Sequence, residues 1–252
     1  MEMMVGQNQQ PQQTAVEKKP LWEDVVDVFV APYGLFKRQA NAGWVKPWLV
    51  LSIITVIIYF AFLGPNHEIA VATQREMLAR VNRPLPAGAT PGGGTAGQIV
   101  SGVLQPVFVL IGILLVAFLL WIASAVAGQG PRFKQAMTII AWASFPTILQ
   151  KVVAGVLVLI KVNSGEELSP MKDMSTGILR FLDTHSMPLP LSSALAMVDI
   201  FAFWQLILWA VALKAVCDYS TGKATAVAFA TWLLLLLPFM GLGFLGQLFM
   251  GG

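Results

Sequence analysis

Residues 101–127 read SGVLQPVFVLIGILLVAFLLWIASAVA, and none of these side chains carries a charge. A spanning α-helix needs about 20 mostly apolar residues, so this stretch is predicted to cross a membrane. The rest of the chain agrees, because only 12% of its 252 residues are charged and 56% are hydrophobic. Soluble domains carry about 25% charged residues, and the mean hydropathy here is +0.71. The composition therefore indicates an integral membrane protein.

Four more stretches are long and apolar enough to span, which predicts an all-α integral membrane protein with five transmembrane helices. The five predicted spans are residues 47–64, 101–127, 136–160, 193–216 and 224–249. Two connections are long. The connection over residues 65–100 contains PAGATPGGGTAG, a Gly/Pro/Ala run that is predicted to be flexible, and the connection over residues 161–192 is mixed in charge.

The distribution of lysine and arginine predicts the orientation, because short cytoplasmic loops and flanks are rich in both. The cationic side chains of the N-terminal flank and of the two short loops fall on one side of the membrane if the N-terminus is cytoplasmic. They are Lys18, Lys19, Lys37, Arg38, Lys46, Arg132, Lys134, Lys214 and Lys223. The sequence thus predicts a cytoplasmic N-terminus and a C-terminus outside.

The N-terminal region divides into two parts. Residues 1–20 are polar and Gln-rich, which predicts a disordered tail, and residues 21–252 form the predicted membrane domain. Residues 21–40 have apolar side chains at helical spacing, among them Trp22, Phe29 and Phe36, with Glu23, Asp24 and Asp27 on the other face. This pattern predicts an amphipathic helix lying at the interface, with a kink or restart at Pro32.

The segment WVKPW, residues 44–48, precedes the first predicted span. Trp44, Lys46 and Trp48 are typical of an aromatic and basic anchor at the membrane boundary. Together with Trp22, Phe29 and Phe36 they form either an interfacial anchor or a docking face for a partner.

Two charged residues fall within predicted spans, Lys151 in the third and Asp199 in the fourth. Charges inside a membrane are costly and usually have a partner. At about 1.5 Å per residue the two lie at similar depth, so an intramembrane Lys151–Asp199 pair is predicted. Three interpretations remain open: a structural ion pair, a polar cavity for a substrate or proton, and independent snorkelling of the two side chains.

Polar side chains lie near the predicted pair. Ser144, Thr147 and Gln150 form a polar stripe in the third span, and Gln205 in the fourth extends it. Pro146 frees the carbonyl of Trp142 from its helical donor, so that carbonyl needs a new one, such as water or a hydroxyl.

The sequence contains none of the common catalytic motifs. It contains neither a phosphate-binding Gly loop with its Lys-Ser/Thr nor an HExxH or G-x-S-x-G motif. The single cysteine, Cys217, excludes an internal disulfide and a cysteine cage for a metal. We therefore expect no catalytic residues, no cofactor, no metal site and no nucleic-acid partner.

Three segments together resemble a known family. They are residues 27–51, DVFVAPYGLFKRQANAGWVKPWLVL; residues 133–152, FKQAMTIIAWASFPTILQKV; and residues 197–229, MVDIFAFWQLILWAVALKAVCDYSTGKATAVAF. In their order and spacing they resemble the Yip1 domain family over about residues 25–250. The resemblance implies a five-span fold with a cytoplasmic N-terminus. The short N-terminal region is similar to that of bacterial members, some of which occur alongside export machinery.

The resemblance also limits what is carried over. Eukaryotic relatives are linked to Rab GTPases and vesicle traffic, but they have a longer cytosolic region, so Rab binding is not expected here. The sequence favours a membrane adaptor or accessory subunit of a transport or trafficking assembly in the bacterial cytoplasmic membrane. Its expected partners are the lipid bilayer and a membrane protein or a second copy of the chain. The alternative is a small transporter or lipid-handling protein that uses Lys151 and Asp199.

Overall fold

A computed structural model describes residues 19–80, 90–184 and 187–250, so nearly all of the predicted tail at 1–20 lies outside the described residues. In these ranges the regular elements are helices, with no strand. The α-helices are α1 (Leu21–Val30), α2 (Pro32–Gln39), α3 (Val45–Ala61), α4 (Leu63–Arg80), α5 (Gly94–Val103), α6 (Gln105–Val126), α7 (Phe133–Ala143), α8 (Pro146–Asn163), α9 (Pro170–Asp173), α10 (Leu189–Leu195), α11 (Ile200–Cys217) and α12 (Thr221–Met250).

Four helical segments of the described chain are long and apolar enough to cross a membrane: α6, α7 with α8, α11 and α12. A fifth is obtained if α3 and the start of α4, which meet at a bend of 78°, are counted as one broken span. The predicted all-α membrane fold is therefore confirmed, with four or five spans. The sidedness of the two termini stays a prediction.

The first long connection contains helices that the sequence does not predict. α4 fills the first half of residues 65–100, and α5 begins at Gly94, within the Gly/Pro/Ala run. The chain turns between α3 and α4 at Phe62, whose ring packs on Gly155 of α8. A Cβ added to Gly155 would lie 2.8 Å from that ring. Residues 81–89 of this connection lie outside the described part of the chain.

The third span is broken at Pro146, as its proline predicts. Pro146 is the first residue of α8, and the carbonyl of Trp142 accepts a hydrogen bond from the backbone N–H of Phe145 at 3.3 Å. The expected water or hydroxyl donor is therefore not needed, because the tighter turn supplies a backbone donor.

The fourth span begins later than predicted, at Ile200 rather than at 193. The residues before it form the short helix α10, which packs on α12. The close contact is possible because Gly243 has no side chain, since an added Cβ would lie 2.9 Å from the carbonyl oxygen of Leu189.

The core lies where α6, α7, α11 and α12 meet α2 and α3. Alanines at these contacts are fully buried: Ala117, Ala136, Ala141, Ala143, Ala212, Ala224 and Ala228. In a membrane the hydrophobic effect does not drive helices together, and small side chains let backbones approach closely enough for van der Waals packing. The rings of Trp142 and Phe145 stack with their centroids 5.4 Å apart, and both are among the largest fully buried side chains of the core.

Candidate functional site

The N-terminal helices α1 and α2 form a hairpin, defined here as residues 21–39. The chain leaves helical geometry at Ala31, with φ −143° and ψ 51°, and restarts at Pro32. Proline suits this first helical position, since its missing N–H would have no helical acceptor. The predicted restart at Pro32 is confirmed.

The acidic residues of the hairpin face the inside of the protein, which is the opposite of what the predicted amphipathic helix implies. Asp24 and Asp27 are buried between the two helices rather than exposed on an outer face. Arg38 of α2 donates to Asp24 at 2.9 Å and to Asp27 at 2.5 Å, and Gln39 donates to Asp24 at 2.7 Å. Lys19 adds a bond to Asp27 at 3.1 Å. Cationic and amide donors therefore compensate both carboxylates, as buried charges require.

The same bonds affect the acidity of the cluster. The hydrogen bond from Arg38, followed by that from Lys19, keeps the pKa of the Asp27 carboxyl below its ordinary range. A lowered pKa contributes stability that is complete above the unfolded pKa of about 3.9 and is lost as the pH falls through the folded value.

The residues predicted to form one anchor or partner face are divided by the fold. Trp22 is 66% exposed, whereas Phe36 is 1% exposed. The Phe29 ring packs edge-on against Trp204 of α11, with the ring centroids 5.3 Å apart. Phe29 and Phe36 therefore dock the hairpin on the bundle, and Trp22 remains available to the surroundings.

The predicted anchor at residues 44–48 is divided in the same way. Trp44 and Trp48 are half-buried and contact each other at 5.9 Å. The indole N–H of Trp48 donates to the carbonyl of Pro106 at 3.1 Å, which ties α3 to α6. Lys46 is exposed.

Asp199 lies before the fourth span rather than inside it, because it is the N-cap of α11. Its carboxylate accepts from the backbone N–H of Ala202 and from the hydroxyl of Thr176, both at 2.7 Å. The amide of Gln150 from α8 donates to the same carboxylate. Asp199 thus connects the start of α11, the connection before it and α8.

Lys151 is not joined to Asp199. Its side chain is exposed and makes no ion pair or hydrogen bond within the described residues, while the donors around Asp199 already satisfy that carboxylate. Lys151 and Val158 are seven residues apart and share a face of α8, yet Val158 is only 4% exposed. This face is covered at Val158 and open at Lys151.

The predicted polar stripe serves the break at Pro146 instead of extending to Gln205. Ser144 donates to the carbonyl of Ile140 at 2.7 Å, and Thr147 donates to the carbonyl of Ser144 at 2.6 Å. Gln205 is half-buried and makes no hydrogen bond among the described residues. Of the stripe, only Gln150 reaches Asp199.

Replacing Asp199 is expected to destabilise the bundle. Asp199→Ala removes the N-cap and the acceptor of Thr176 and Gln150, which predicts a loss of about 2–3 kcal/mol in the free energy of unfolding. Asp199→Asn keeps an acceptor at the cap, so its loss should stay within about 1 kcal/mol. Titration with SDS in dodecyl maltoside micelles measures both variants, and equal losses would contradict the capping role.

The structure contains a cavity that was not predicted from the sequence. It has a volume of about 910 Å³ and lies between α4 and the segment that follows α8. Its charged lining consists of Glu68, Arg75, Glu76, Glu166 and Glu167, and it depends on α4 being helical. The sequence does not indicate this cavity, because residues 65–80 are read there only as part of a long connection between two spans.

The connection beyond α8 is held by an ion pair between Lys161 and Asp173 that was not predicted from the sequence. Lys161 near the end of α8 donates to both carboxylate oxygens of Asp173, at 3.0 and 2.9 Å. Asp173 also accepts from the backbone N–H of Ser169 at 2.6 Å. The described residues hold no cluster of three or more His, Cys, Asp or Glu suited to a metal ion.

These features define a polytopic helical membrane protein with a docked N-terminal hairpin and broken spans. The chain matches the Yip1 domain over residues 26–242 and belongs to the Yip1 domain family, whose members are non-enzymatic membrane proteins. No curated protein and no solved structure matches the chain.

Proposed function

We propose that this protein is a non-catalytic accessory subunit, or adaptor, of a larger membrane assembly. The observation that carries the proposal is the ammonium of Lys151, which has no partner among the described residues and lies on an open face of a spanning segment. Such a charge is an incomplete site, because intramembrane charges usually pair within protein or face water.

Lys151 lies between two polar groups along α8. Its neighbour Gln150 bonds Asp199, whose carboxylate is already satisfied by Gln150, Thr176 and the N–H of Ala202. In the other direction Lys161 follows ten residues later, or about 15 Å along the helix, and forms a polar layer with Asp173. A lysine side chain reaches about 6 Å, and helical side chains tilt toward the N-terminus, here away from that layer. Snorkelling toward Lys161 therefore does not bring the ammonium to its level.

A compensating charge has to come from a carboxylate. In α4, which continues α3 beyond the 78° bend, Glu68 and Glu76 line the cavity beside the segment that follows α8. The sequences of α3, α6, α7, α8, α11 and α12 contain no aspartate and no glutamate. Neither the protomer nor a second copy can therefore supply a carboxylate from within these helices. This favours a different membrane protein, with an acidic residue in a spanning helix, over a homo-oligomer.

The experiment is purification of the tagged full-length chain from its native membrane in a gentle detergent, followed by mass spectrometry. We expect a stoichiometric partner with an intramembrane Asp or Glu. Lys151→Met should reduce its recovery about tenfold, which corresponds to about 1.4 kcal/mol. Lys134→Met, which replaces an exposed lysine at the start of α7, is the matched control and should keep the partner.

Two outcomes test the accessory role and the contribution of Lys151 separately. Recovery of the wild-type chain without any partner would overturn the accessory role. A partner that co-purifies equally well with Lys151→Met would preserve that role and reject Lys151 as its contact.

A second candidate is a small transporter or lipid-handling protein, favoured by the same open face at Lys151. Hydration at that position separates the two functions. In a Cys217→Ser background, Lys151→Cys should react with a water-soluble maleimide in membranes if it lines a hydrated path, and should be protected if it faces a partner helix or lipid.

We further propose that the chain lies in the bacterial cytoplasmic membrane with its N-terminus in the cytoplasm. The Lys/Arg distribution supports this orientation. Nothing in the proposed role requires a cofactor or a nucleic acid. An export machine is the kind of partner that the resemblance to bacterial members favours.

A further inference from the structure

We propose that the hairpin of α1 and α2 dips into the bilayer beside α11, with its outer apolar face in contact with lipid acyl chains. The sequence pattern alone predicts a helix lying flat at the interface. The direction of the hairpin, the place of its charges and the composition of its outer face each favour immersion.

The base of the hairpin is fixed to one side of the bundle. Just after α2, Asn41 accepts a hydrogen bond from Gln135 at the start of α7, at 3.2 Å. On the same side, the hydroxyl of Tyr219, in the turn between α11 and α12, donates to the carbonyl of Ser124 near the end of α6 at 3.5 Å. The start of α7 and the end of α11 therefore share this side with the base of the hairpin.

The tip of the hairpin lies far from that side. Phe29 contacts Trp204, which is 13 residues before Cys217 at the end of α11, or about 20 Å along the helix. α2 packs on α11 and, with eight residues, extends about 12 Å from the tip toward the base. Because the hydrocarbon core is about 30 Å thick, a tip 20 Å from the end of a spanning helix lies at membrane depth.

The charges of the hairpin follow this direction. Arg38 lies close to the base and bonds Asp24 and Asp27 in the interior between the helices. Lys37, which points outward, also lies close to the base and can extend its ammonium toward the interface. Polar groups thus face inward or lie near the water boundary, which is the arrangement expected of an element surrounded by lipid.

The outward face of the hairpin is apolar toward the tip. Val30 is 71% exposed, and Val26, Ala31 and Tyr33 are also exposed. The neighbouring outward surface of α11 has the same character, with Phe203 and Ile207 exposed. The two surfaces together form a continuous apolar exterior, and lipid is the occupant that covers both.

The test uses spin-labelled single-cysteine variants of the full-length chain in a Cys217→Ser background. The purified protein is reconstituted in liposomes of phosphatidylcholine and phosphatidylglycerol. Val30→Cys and Tyr33→Cys probe the tip, and Lys37→Cys and Ala42→Cys are the matched controls at the base. All four positions are exposed in the structure, and Ala42 lies in the turn after α2, so the labels are tolerated.

Collision of the label with oxygen and with a neutral nickel chelate gives the result. We expect the tip labels to collide about tenfold less with the chelate than the base labels and more with oxygen, since the hydrocarbon core excludes polar solutes. Equal chelate access at tip and base would place the hairpin in water and overturn the proposal. Low access of both reagents at the tip would overturn it too, because protein rather than lipid would then cover the face.

Discussion

Arg38→Ala is expected to lower the free energy of unfolding by about 2–4 kcal/mol, because it leaves two carboxylates without their main partner. The three side chains are largely shielded: Arg38 is 22% exposed, Asp24 6% and Asp27 12%. Breaking a buried charge network by removing one member costs more than the network itself contributes, since the remaining charges stay buried and unpaired. We expect the hairpin to detach from α11 in this variant.

The matched control is Lys37→Ala, which removes an exposed cation next in the sequence and should change stability by no more than about 0.5 kcal/mol. SDS titration in dodecyl maltoside measures both variants, and amide exchange of residues 21–40 reports whether the hairpin has detached. A loss of similar size in the two variants would contradict the network.

The acid response of the wild-type protein gives an independent check of the same cluster. Arg38 keeps the pKa of Asp27 below its ordinary range, so the hairpin should stay docked above about pH 4 and loosen as the pH falls further. In Arg38→Ala the largest cause of the lowered pKa is removed and only the contribution of Lys19 remains, so the acid-induced part of the detachment should become smaller.

The membrane fold could be predicted because it follows from the length of apolar runs. A span is predicted by comparing the length of an apolar run with the thickness of a bilayer. Four of the predicted spans overlap segments long and apolar enough to cross, and the first overlaps the bent pair of α3 and α4. The bend between α3 and α4 could not be read in this way, since it depends on the Phe62 ring packing against Gly155 from another helix.

The orientation of the hairpin was predicted wrongly for a general physical reason. Helical periodicity separates two faces of a helix but does not say which face meets the protein. An isolated helix in water turns acidic residues outward, whereas here Arg38 lies 11 and 14 residues further along the chain and compensates them inside. The decisive partner belongs to the second helix of the hairpin.

Lys151 and Asp199 illustrate the limit of depth estimates. Counting residues put the two side chains level, but Asp199 ends a non-helical segment with φ −142° and ψ 173°, and the backbone donor at Ala202 captures its carboxylate. An aspartate three residues before a free helical N–H is a recognised N-cap pattern. Applying that pattern would have placed Asp199 before the span.

Gly177→Ala, at a position that packs against Asp199, is expected to lower the free energy of unfolding by about 3 kcal/mol or more. Gly177 lies directly against the start of α11. An added Cβ would meet the carbonyl oxygen of Val198 and would lie 2.7 Å from the Cβ of Asp199. The first of these is a backbone atom that cannot move aside without displacing the N-cap.

The reason is space rather than backbone strain, because Gly177 has φ −117° and ψ −157°, which any residue adopts. Displacing the segment also separates Thr176 from Asp199, so the loss should overlap with that of Asp199→Ala. The double variant is therefore expected to be less destabilised than the sum of the two single variants.

Gly112→Ala in α6 is the matched control, since no atom lies within 4 Å of its added Cβ. Alanine is favoured over glycine in a helix interior by about 1 kcal/mol, so this variant should be neutral or slightly stabilised. A Gly177→Ala protein as stable as Gly112→Ala in SDS titration would show that residues 174–181 do not pack on α11. Full additivity with Asp199→Ala would show instead that the two positions act independently, leaving Asp199 as a helix cap without a clamped connection.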